Sequence, residues 1–544
     1  MKNYKKVYAA FILAGGLILH GIFDALSINP TQPSMGAYFT SPSAVNDAVM
    51  TMYGYMSTQR CLGASGSKTT IIRSDEASSN SDYGKPGMFG ADLNASYYTI
   101  EQPYTLMYTT ASQASYIIET APSVDCSGNE ELRNAYMGEA YFWRAFAHYY
   151  LLINFRNISP IRQMPRNGDD YVRPLEKPAA VWNFIQEDLA HAKELLPVKG
   201  YWDSKNAGRV TKASAAALLG KAYLYRSGIE QYYGEDKTTF YSEAAKEFGD
   251  VIDGKYGTYD LTKNYADNFD VAHENNEESI LEFQFLGDVD NAGFNPGLAT
   301  SGLAFDSRGL MLPGAGVGYE GVVHNWLYNA FVNSVDKDGY TDIRMFSTMI
   351  FNDLDASIHL RNDAGGNPIR LKGPGGYKWE ELYPAKNGKE GFATVSNPLA
   401  HSFKAGIRKG IDCSMPTQTE ADGTPKLVGV GAGVKEYVYN QPRAHGVNWR
   451  YIRYADVLMM YAESVVSGGT PASNMTPLQA VNKVRGRANM SELPSVTMTD
   501  IQNERILEFA LEGHRFYDLL RWGKLTSRFT ELQESDPNFK KFIS

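Results

Sequence analysis

The chain has 544 residues, enough for two or three sub-domains, and its 43% hydrophobic and 21% charged residues are typical of a globular protein. Its 52 basic and 61 acidic residues give a net charge of −9 without a basic stripe, which argues against a nucleic-acid-binding protein. Three cysteines, Cys61, Cys126 and Cys413, are too few and too scattered for a disulfide framework or a zinc site.

The N-terminus has the order of charged and apolar residues that is typical of a bacterial export signal. Lys2, Lys5 and Lys6 precede an apolar run over residues 7–19, which is short for a stable membrane span. An ordinary buried helix is the alternative at this position. No second apolar stretch of transmembrane length follows, and we expect residues 1–21 to direct export.

Apolar residues at three- and four-residue steps predict a series of helices. The first passes through Val45, Val49 and Met52, with Ser41 or Ser43 as its N-cap. The further predicted helices span residues 106–119, 130–155, 178–196, 211–228, 241–253, 453–467 and 477–488.

A repeat is visible within this series. Leu219, Gly220 and Tyr223, followed by Ala245 and Phe248 on the next helix, have the order of a tetratricopeptide unit. One helix pair cannot bury its apolar face alone, so such pairs stack into a curved frame.

Two stretches lack this periodicity. Residues 60–100 are rich in Ser, Gly, Asp and Asn and predict a long loop region. Residues 254–447 contain only short apolar runs such as SILEFQF, which indicates loops, short helices and small hairpins laid on the helical frame. We therefore divide the chain into residues 1–21, 22–253 and 254–544.

The search for catalytic motifs gives little. The motifs His-Glu-x-x-His and Gly-x-Ser-x-Gly do not occur, and His148 and His514 fit a core or surface position better than a ligand role. Residues 316–321 form Gly-x-Gly-x-x-Gly, but Pro313 spoils the strand that a dinucleotide fold needs before this motif. Residues 336–342 are similar to part of a calcium loop but lack the closing Glu. The sequence predicts a protein that is not an enzyme, with no cofactor and no metal site.

Four sequence blocks resemble those of one known family. In chain order they read EAYFWRAFAHYYLLINF, GRVTKASAAALLGKAYLY, YIRYADVLMMYAES with AVNKVRGRA, and NERILEFALEGHRFYDLLRWGK. On these blocks the chain resembles the SusD/RagB proteins, the surface nutrient-binding subunits of bacterial outer-membrane uptake systems. The resemblance implies a mainly α fold, with a tetratricopeptide-like helical superhelix and an irregular, loop-rich ligand-binding segment.

The last of these blocks looks like one amphipathic helix over residues 503–525 whose apolar face is interrupted by charged residues. Unpaired buried charge is very costly, so arginines and glutamates held partly inside need opposite charges and hydrogen bonds. In the family this helix is structural. We expect an internal ion-pair network formed by Glu504, Arg505, Glu512, Arg515, Asp518 and Arg521.

The resemblance also implies a function. A SusD-like protein binds an oligosaccharide at the extracellular face of the outer membrane and passes it to a SusC-like TonB-dependent transporter. A peptide ligand, as for RagB-like relatives, is the closest alternative, and a glycoside hydrolase and a pure interaction scaffold are two further ones. The family's mature chain begins with a lipidated Cys shortly before a Leu-x-Ile-x-Pro pattern. Leu26, Ile28 and Pro30 fit that pattern, but Ile22 stands where the Cys is expected and no Cys precedes Cys61.

Candidate ligand-binding residues follow from the resemblance too, since in relatives the site draws on the loop after the first helix and on the irregular segment. The corresponding residues here are Arg73, Asp75, Tyr83, Phe89, Phe294, Tyr319 and Trp326. Tyr83, Phe89 and Tyr319 lie in Gly-rich loops, where exposed aromatics are less expected, whereas Phe294 and Trp326 fit core packing equally well. Starch-binding members carry tryptophans shortly after an Asp-Glu pair. Here no Trp follows Asp75 and Glu76 closely, which argues against a starch-type ligand.

Overall fold

Helices carry most of this structure. The computed structural model describes residues 41–58, 61–63, 66, 68–79, 98–164, 166, 170, 172–285, 321–373, 376–394, 400–409, 427–429, 435–437 and 447–536. Within these residues the chain is mainly helical and its strands are short, which confirms the predicted fold class. The predicted export signal and the lipidation pattern lie outside the described residues.

Among the described residues, six helices form the N-terminal part of the frame. They are Pro42–Met56 (α1), Tyr98–Thr120 (α2), Glu130–Phe155 (α3), Pro178–Leu195 (α4), Lys212–Tyr233 (α5) and Tyr241–Ile252 (α6). The sequence places the caps correctly: the Ser41 hydroxyl accepts a hydrogen bond from the backbone N–H of Ala44, and Thr211 forms a capping box with Ser214. Helix α2 begins well before the predicted residue 106 and contains Pro103.

The helices pack as consecutive pairs, as the repeat predicted. Helix α2 packs against α3, α3 against α4, α4 against α5, and α5 against α6. The contact between α5 and α6 is close, because a Cβ atom at Gly220 would lie only 2.7 Å from Cε1 of Phe248. The small side chains of α5 therefore let its partner approach, which supports the tetratricopeptide-like arrangement.

Eight helices lie in the described stretches of the C-terminal part. They are Asn325–Val332 (α7), Met345–Thr348 (α8), Trp379–Leu382 (α9), Tyr454–Val466 (α10), Pro477–Arg487 (α11), Met498–Glu508 (α12), Arg515–Arg521 (α13) and Leu525–Ser535 (α14). Helix α10 packs against α6, so the helical frame continues across the proposed boundary at residue 253, and that division stays a prediction.

The prediction of a single amphipathic helix over residues 503–525 is wrong. Helix α12 ends at Glu508, and the chain turns through Leu511 and Gly513, whose φ angles are 62° and 84°, before α13 begins. Positive φ angles are incompatible with a right-handed helix. The turn lets two short helices present their charged residues in different directions.

The predicted end of the fourth helix at Gly228 is also wrong. Helix α5 continues to Tyr233 and ends at Gly234, which has a φ angle of 70°. Gly228 serves close packing instead, because a Cβ atom there would lie 2.3 Å from the backbone oxygen of Arg521 in α13.

The strands that the structure describes form three small sheets. They are Ala77–Ser79 (β1), Ser279–Phe283 (β2), Gly321–Val323 (β3), Met349–Phe351 (β4), Ala405–Ile407 (β5), Leu427–Gly429 (β6), Lys435–Tyr437 (β7) and Trp449–Arg453 (β8). One sheet has the order β1-β3-β5-β4, and the pairs β2-β8 and β6-β7 form the other two, all antiparallel.

The predictions for the two stretches without periodicity differ in how well they agree with the structure. The described part of residues 254–447 contains short helices and strands, as expected. The long loop predicted for residues 60–100 is wrong in part, because it contains a π-helical turn at Lys68–Ile72, strand β1 and the start of α2.

The core runs through the helical frame. Trp143 and Phe146 of α3 are buried, and Trp143 packs edge-on against Tyr53 of α1 with ring centroids 4.8 Å apart. His148 is buried as well. Its Nδ1 lies 2.8 Å from the backbone oxygen of Arg144, and its Nε2 accepts from the N–H of Ile161. Among the described residues, no helix combines the length and apolarity needed to cross a bilayer.

Candidate functional site

Two of the predicted ligand-binding segments meet the folded frame at one sheet edge. Strand β1 pairs antiparallel with β3, and Ser79 at the end of β1 lies opposite Gly321 at the start of β3. Residues 80–97 follow β1 and residues 286–320 precede β3 in the sequence. The described residues that flank these two segments therefore lie side by side.

Four of the seven predicted site residues are on these two segments and lie outside the described residues. They are Tyr83, Phe89, Phe294 and Tyr319. Tyr83 comes four residues after Ser79, and Tyr319 comes two residues before Gly321. The described residues include the other three, which are Arg73, Asp75 and Trp326.

Asp75 lies two residues before β1 and connects the start of this strand to the rest of the fold. Its carboxylate accepts from Nε and Nη2 of Arg515 at 2.9 and 3.1 Å and from Nε of Arg528 at 2.8 Å. Burial by itself raises the pKa of Asp75, but the two guanidinium groups outweigh burial and hold it below its ordinary value. Asp75 is buried with both oxygens bonded, which suits a structural anchor, and its predicted role in ligand binding stays a prediction. It fixes β1 to helices α13 and α14.

Trp326 belongs to the same anchor. Its indole N–H donates to the backbone oxygen of Asp75, and the guanidinium groups of Arg515 and Arg528 lie 5.3 and 4.5 Å from its ring centroid. The ring is partly buried against the core. Of the two roles that the sequence left open for Trp326, packing fits these contacts.

Glu76 holds the neighbouring position on the chain. One carboxyl oxygen accepts from the backbone N–H of Leu511 at 3.0 Å, and the other lies 3.2 Å from the Ser74 hydroxyl. Burial raises the pKa of Glu76 to about 8, so this carboxyl is mostly protonated at neutral pH. The contact joins the start of β1 to the turn between α12 and α13.

Arg73 lies at the end of the π-helical turn and is partly exposed. Its Nη1 donates to Oδ1 of Asn154 at 3.0 Å, and its guanidinium lies 3.8 Å from the ring centroid of Phe516. Within the described residues it forms no ion pair with a carboxylate, and burial lowers its pKa. Its role in ligand binding stays a prediction.

The predicted ion-pair network is present, and it is larger than the sequence indicated. Arg505 bonds Asp456 and Asp518, and Arg521 bonds Asp518 and Glu463. Burial alone would raise the pKa of Asp518, but Arg505 and Arg521 lower it, so this carboxylate stays charged at neutral pH. These charged side chains are buried and bond one another, and their ion pairs hold the fold together.

The residues that sequence reasoning missed are the partners of this network from distant segments. Arg453 at the end of β8 bonds Glu278, Glu508 and Glu512 at 2.6–2.8 Å, and Arg344 bonds Glu504 and Glu508. Arg453 stands in one of the quoted sequence blocks, which was the available signal. Nothing in the local sequence marks Arg344 as a member.

Groups that carry out catalysis or bind metal are not evident in the described ranges. No cluster of three or more His, Cys, Asp or Glu side chains is arranged to hold a metal ion there. Burial lowers the pKa of His148 to about 3, which makes it a neutral core residue. Residues 336–342 form a turn, in which one Asp336 oxygen accepts from the N–H groups of Asp338 and Tyr340.

Fold and site together define a class of protein: a tetratricopeptide-like helical frame in which the strands flanking two predicted ligand-binding segments pair in one sheet. Residues 28–224 match the family model described as "Starch-binding associating with outer membrane", and residues 417–543 match the model of the SusD family. The chain belongs to the SusD-like family.

Two curated relatives support this assignment. A SusD-like protein of Bacteroides ovatus is 25% identical over 419 residues, which cover 76% of this chain and 64% of that protein, or less than two thirds of its length. SusD-like protein P2 of Formosa agariphila is 24% identical over 545 residues, covering 96% of this chain and 91% of the relative.

Solved structures share the fold. A SusD superfamily protein from Bacteroides vulgatus superposes with a TM-score of 0.65 at 22% identity, covering 93% of this chain and 92% of its own. A laminarin-binding SusD-like protein gives a TM-score of 0.62 at 21% identity, with 92% and 96% covered. A structure with a xylogluco-oligosaccharide gives 0.59 at 20% identity, with 89% and 85% covered.

Proposed function

We propose that this protein is a non-catalytic glycan-binding subunit at the extracellular face of the outer membrane. It captures an oligosaccharide and passes it to a SusC-like TonB-dependent transporter. The observation that carries the proposal is the pairing of Ser79 with Gly321, because it brings the bases of two aromatic-bearing segments together on a rigid frame. The family assignment and the laminarin-binding relative support the same class of ligand.

The chemistry of the two segments suits a sugar. The flat face of a tyrosine ring packs on the apolar face of a pyranose ring, and its hydroxyl bonds sugar hydroxyl groups. Tyr83 and Tyr319 are the residues proposed to do this. The buried ion pairs of the frame hold its segments together, so little ordering of the frame opposes binding.

Binding is tested with the full chain against a panel of host, plant and dietary glycans and of peptides, by isothermal titration calorimetry. Tyr83→Ala and Tyr319→Ala are each expected to weaken binding about tenfold, since a lost aromatic contact is worth roughly 1 kcal/mol or more. Tyr201→Ala is the control, because Tyr201 is partly exposed between α4 and α5 and lies far from both segments in sequence.

The outcomes separate the alternatives. Binding of peptides and not of glycans would replace the proposed ligand class, and reducing ends that accumulate during incubation would indicate a hydrolase. A stable complex with the transporter but no ligand in either panel would indicate an interaction scaffold. Equal affinity of wild type, Tyr83→Ala and Tyr319→Ala for a bound glycan would contradict the proposed site.

A further inference from the structure

A small cavity lies where the helical frame, β8 and the C-terminal turn meet. Its walls include Tyr149 of α3, Lys221 and Tyr225 of α5, Tyr451 of β8 and Gly513 in the turn between α12 and α13. None of these residues is on the segments proposed to bind glycan. What this cavity binds is therefore independent of the proposed function.

Two tyrosines that line the cavity carry buried hydroxyl groups. The side chains of Tyr149 and Tyr225 are 0% and 1% exposed. Neither hydroxyl has a hydrogen-bond partner in the part of the chain that the structure describes. Buried polar groups in folded proteins are nearly always bonded, either to protein or to an ordered water molecule.

Lys221 contributes a further donor at the same cavity. Its ammonium group donates to Oδ2 of Asp456 at 3.1 Å and lies 3.4 Å from Nδ1 of His514. An ammonium group has three N–H donors, so these two contacts leave one. Lys221 is 2% exposed, which separates this remaining donor from bulk solvent.

We propose that this cavity binds one ordered water molecule, which bridges the hydroxyl groups of Tyr149 and Tyr225 and the remaining N–H of Lys221. The free space is about that of one water molecule, and three polar groups lie within the range of partners that a buried water takes. The water completes the bonding of the two tyrosines and connects α3 with α5.

The charges around the cavity favour water over an ion. Lys221 is neutralised by Asp456, and the carboxylate of Glu512 is bonded by Arg453 and Lys409. An anion or a cation placed here would have no counter-charge and would lose its own hydration. A neutral molecule that both donates and accepts hydrogen bonds fits this balance.

A high-resolution crystal structure tests the identity of the occupant. We expect a density peak within hydrogen-bond distance of both tyrosine hydroxyls that gives no anomalous signal after a bromide soak. A bromide peak at this position would show an anion site, and a xenon peak under pressure would show a dry apolar cavity. Either result would overturn the proposal.

A stability series tests the bridge in solution. Tyr149→Phe and Tyr225→Phe each remove one partner of the water, and each is expected to lower the midpoint of thermal unfolding. Tyr461→Phe is the matched control, because the Tyr461 hydroxyl is also buried without a partner but does not line the cavity. Its midpoint is expected to stay unchanged or rise. If all three variants shift the midpoint alike, the bridging water is refuted.

Discussion

Two neighbouring carboxyl groups, Asp75 and Glu76, are held in opposite protonation states by the same sheet edge. Asp75 faces Arg515 and Arg528 and stays charged. Glu76 is buried against the N–H of Leu511, and burial together with the negative charge of Asp75 keeps its proton on, although Arg515 opposes this. Adjacent residues of similar chemistry therefore differ because their partners differ.

Glu76 makes stability depend on pH. Its pKa is about 8 in the folded protein, above the ordinary value of a glutamate in an unfolded chain. As pH rises from about 4.5 to about 8, the unfolded chain loses this proton while the folded protein keeps it, so the free energy of unfolding falls by at most about 1.4 kcal/mol per pH unit. Glu76→Gln is expected to flatten this slope, measured by urea unfolding between about pH 5 and pH 8.

The control for this measurement is Glu131→Gln on the exposed side of α3, which removes one surface carboxylate without touching the sheet edge. A slope that is the same in wild type, Glu76→Gln and Glu131→Gln would show that Glu76 does not carry a proton into the folded state.

Two glycines inside helices differ in whether a neighbouring element packs closely against them. Gly228 lies inside α5, where it lets α13 approach until the backbone oxygen of Arg521 would lie 2.3 Å from a Cβ atom. Gly54 lies inside α1, and a Cβ atom there would meet nothing within 4 Å. The same residue type is thus required in one helix and unfavourable in the other.

Gly228→Ala and Gly54→Ala form a matched pair. Gly228→Ala is expected to lower the free energy of unfolding by about 1–3 kcal/mol, because a backbone atom must move to admit the methyl group. Gly54→Ala is expected to raise it by up to about 1 kcal/mol through helix propensity. Chemical denaturation of both variants checks the signs, and stabilisation by Gly228→Ala would contradict the close contact.

On the scale of the whole molecule, buried ion pairs connect segments that are far apart in the chain. Arg453 links β8 to the residue before β2 and to α12, and Asp75 links the base of β1 to α13 and α14. Such pairs add little net stability compared with apolar packing, but loss of one partner leaves an uncompensated buried charge. They fix which segments meet.

Arg505→Met tests this coupling. It leaves Asp456 and Asp518 without their shared arginine, and we expect the free energy of unfolding to fall by about 3–5 kcal/mol. Lys246→Met breaks the largely exposed Lys246–Asp250 pair on α6 and is expected to cost less than about 1 kcal/mol. Similar losses in urea unfolding of the two variants would show that burial does not set the value of these pairs.

Local sequence patterns were enough to predict that the long helices exist, the bounds of α3 and the family. Helix α3 begins and ends at the predicted residues, because its apolar periodicity lies within one segment of the chain. The caps at Ser41 and Thr211 also depend on residues close by in the sequence. The charged block near the C-terminus indicated an internal ion-pair network, since buried charges require partners wherever they occur.

Features that depend on contacts between distant segments became visible only in the tertiary structure. The turn at Leu511 and Gly513, the role of Gly228 and the burial of Asp75 each depend on a neighbour far away in the chain. The pairing of Ser79 with Gly321 is of the same kind. Local patterns record backbone preference and amphipathicity, whereas a hydrogen bond or ion pair between remote residues is set by how the whole frame packs.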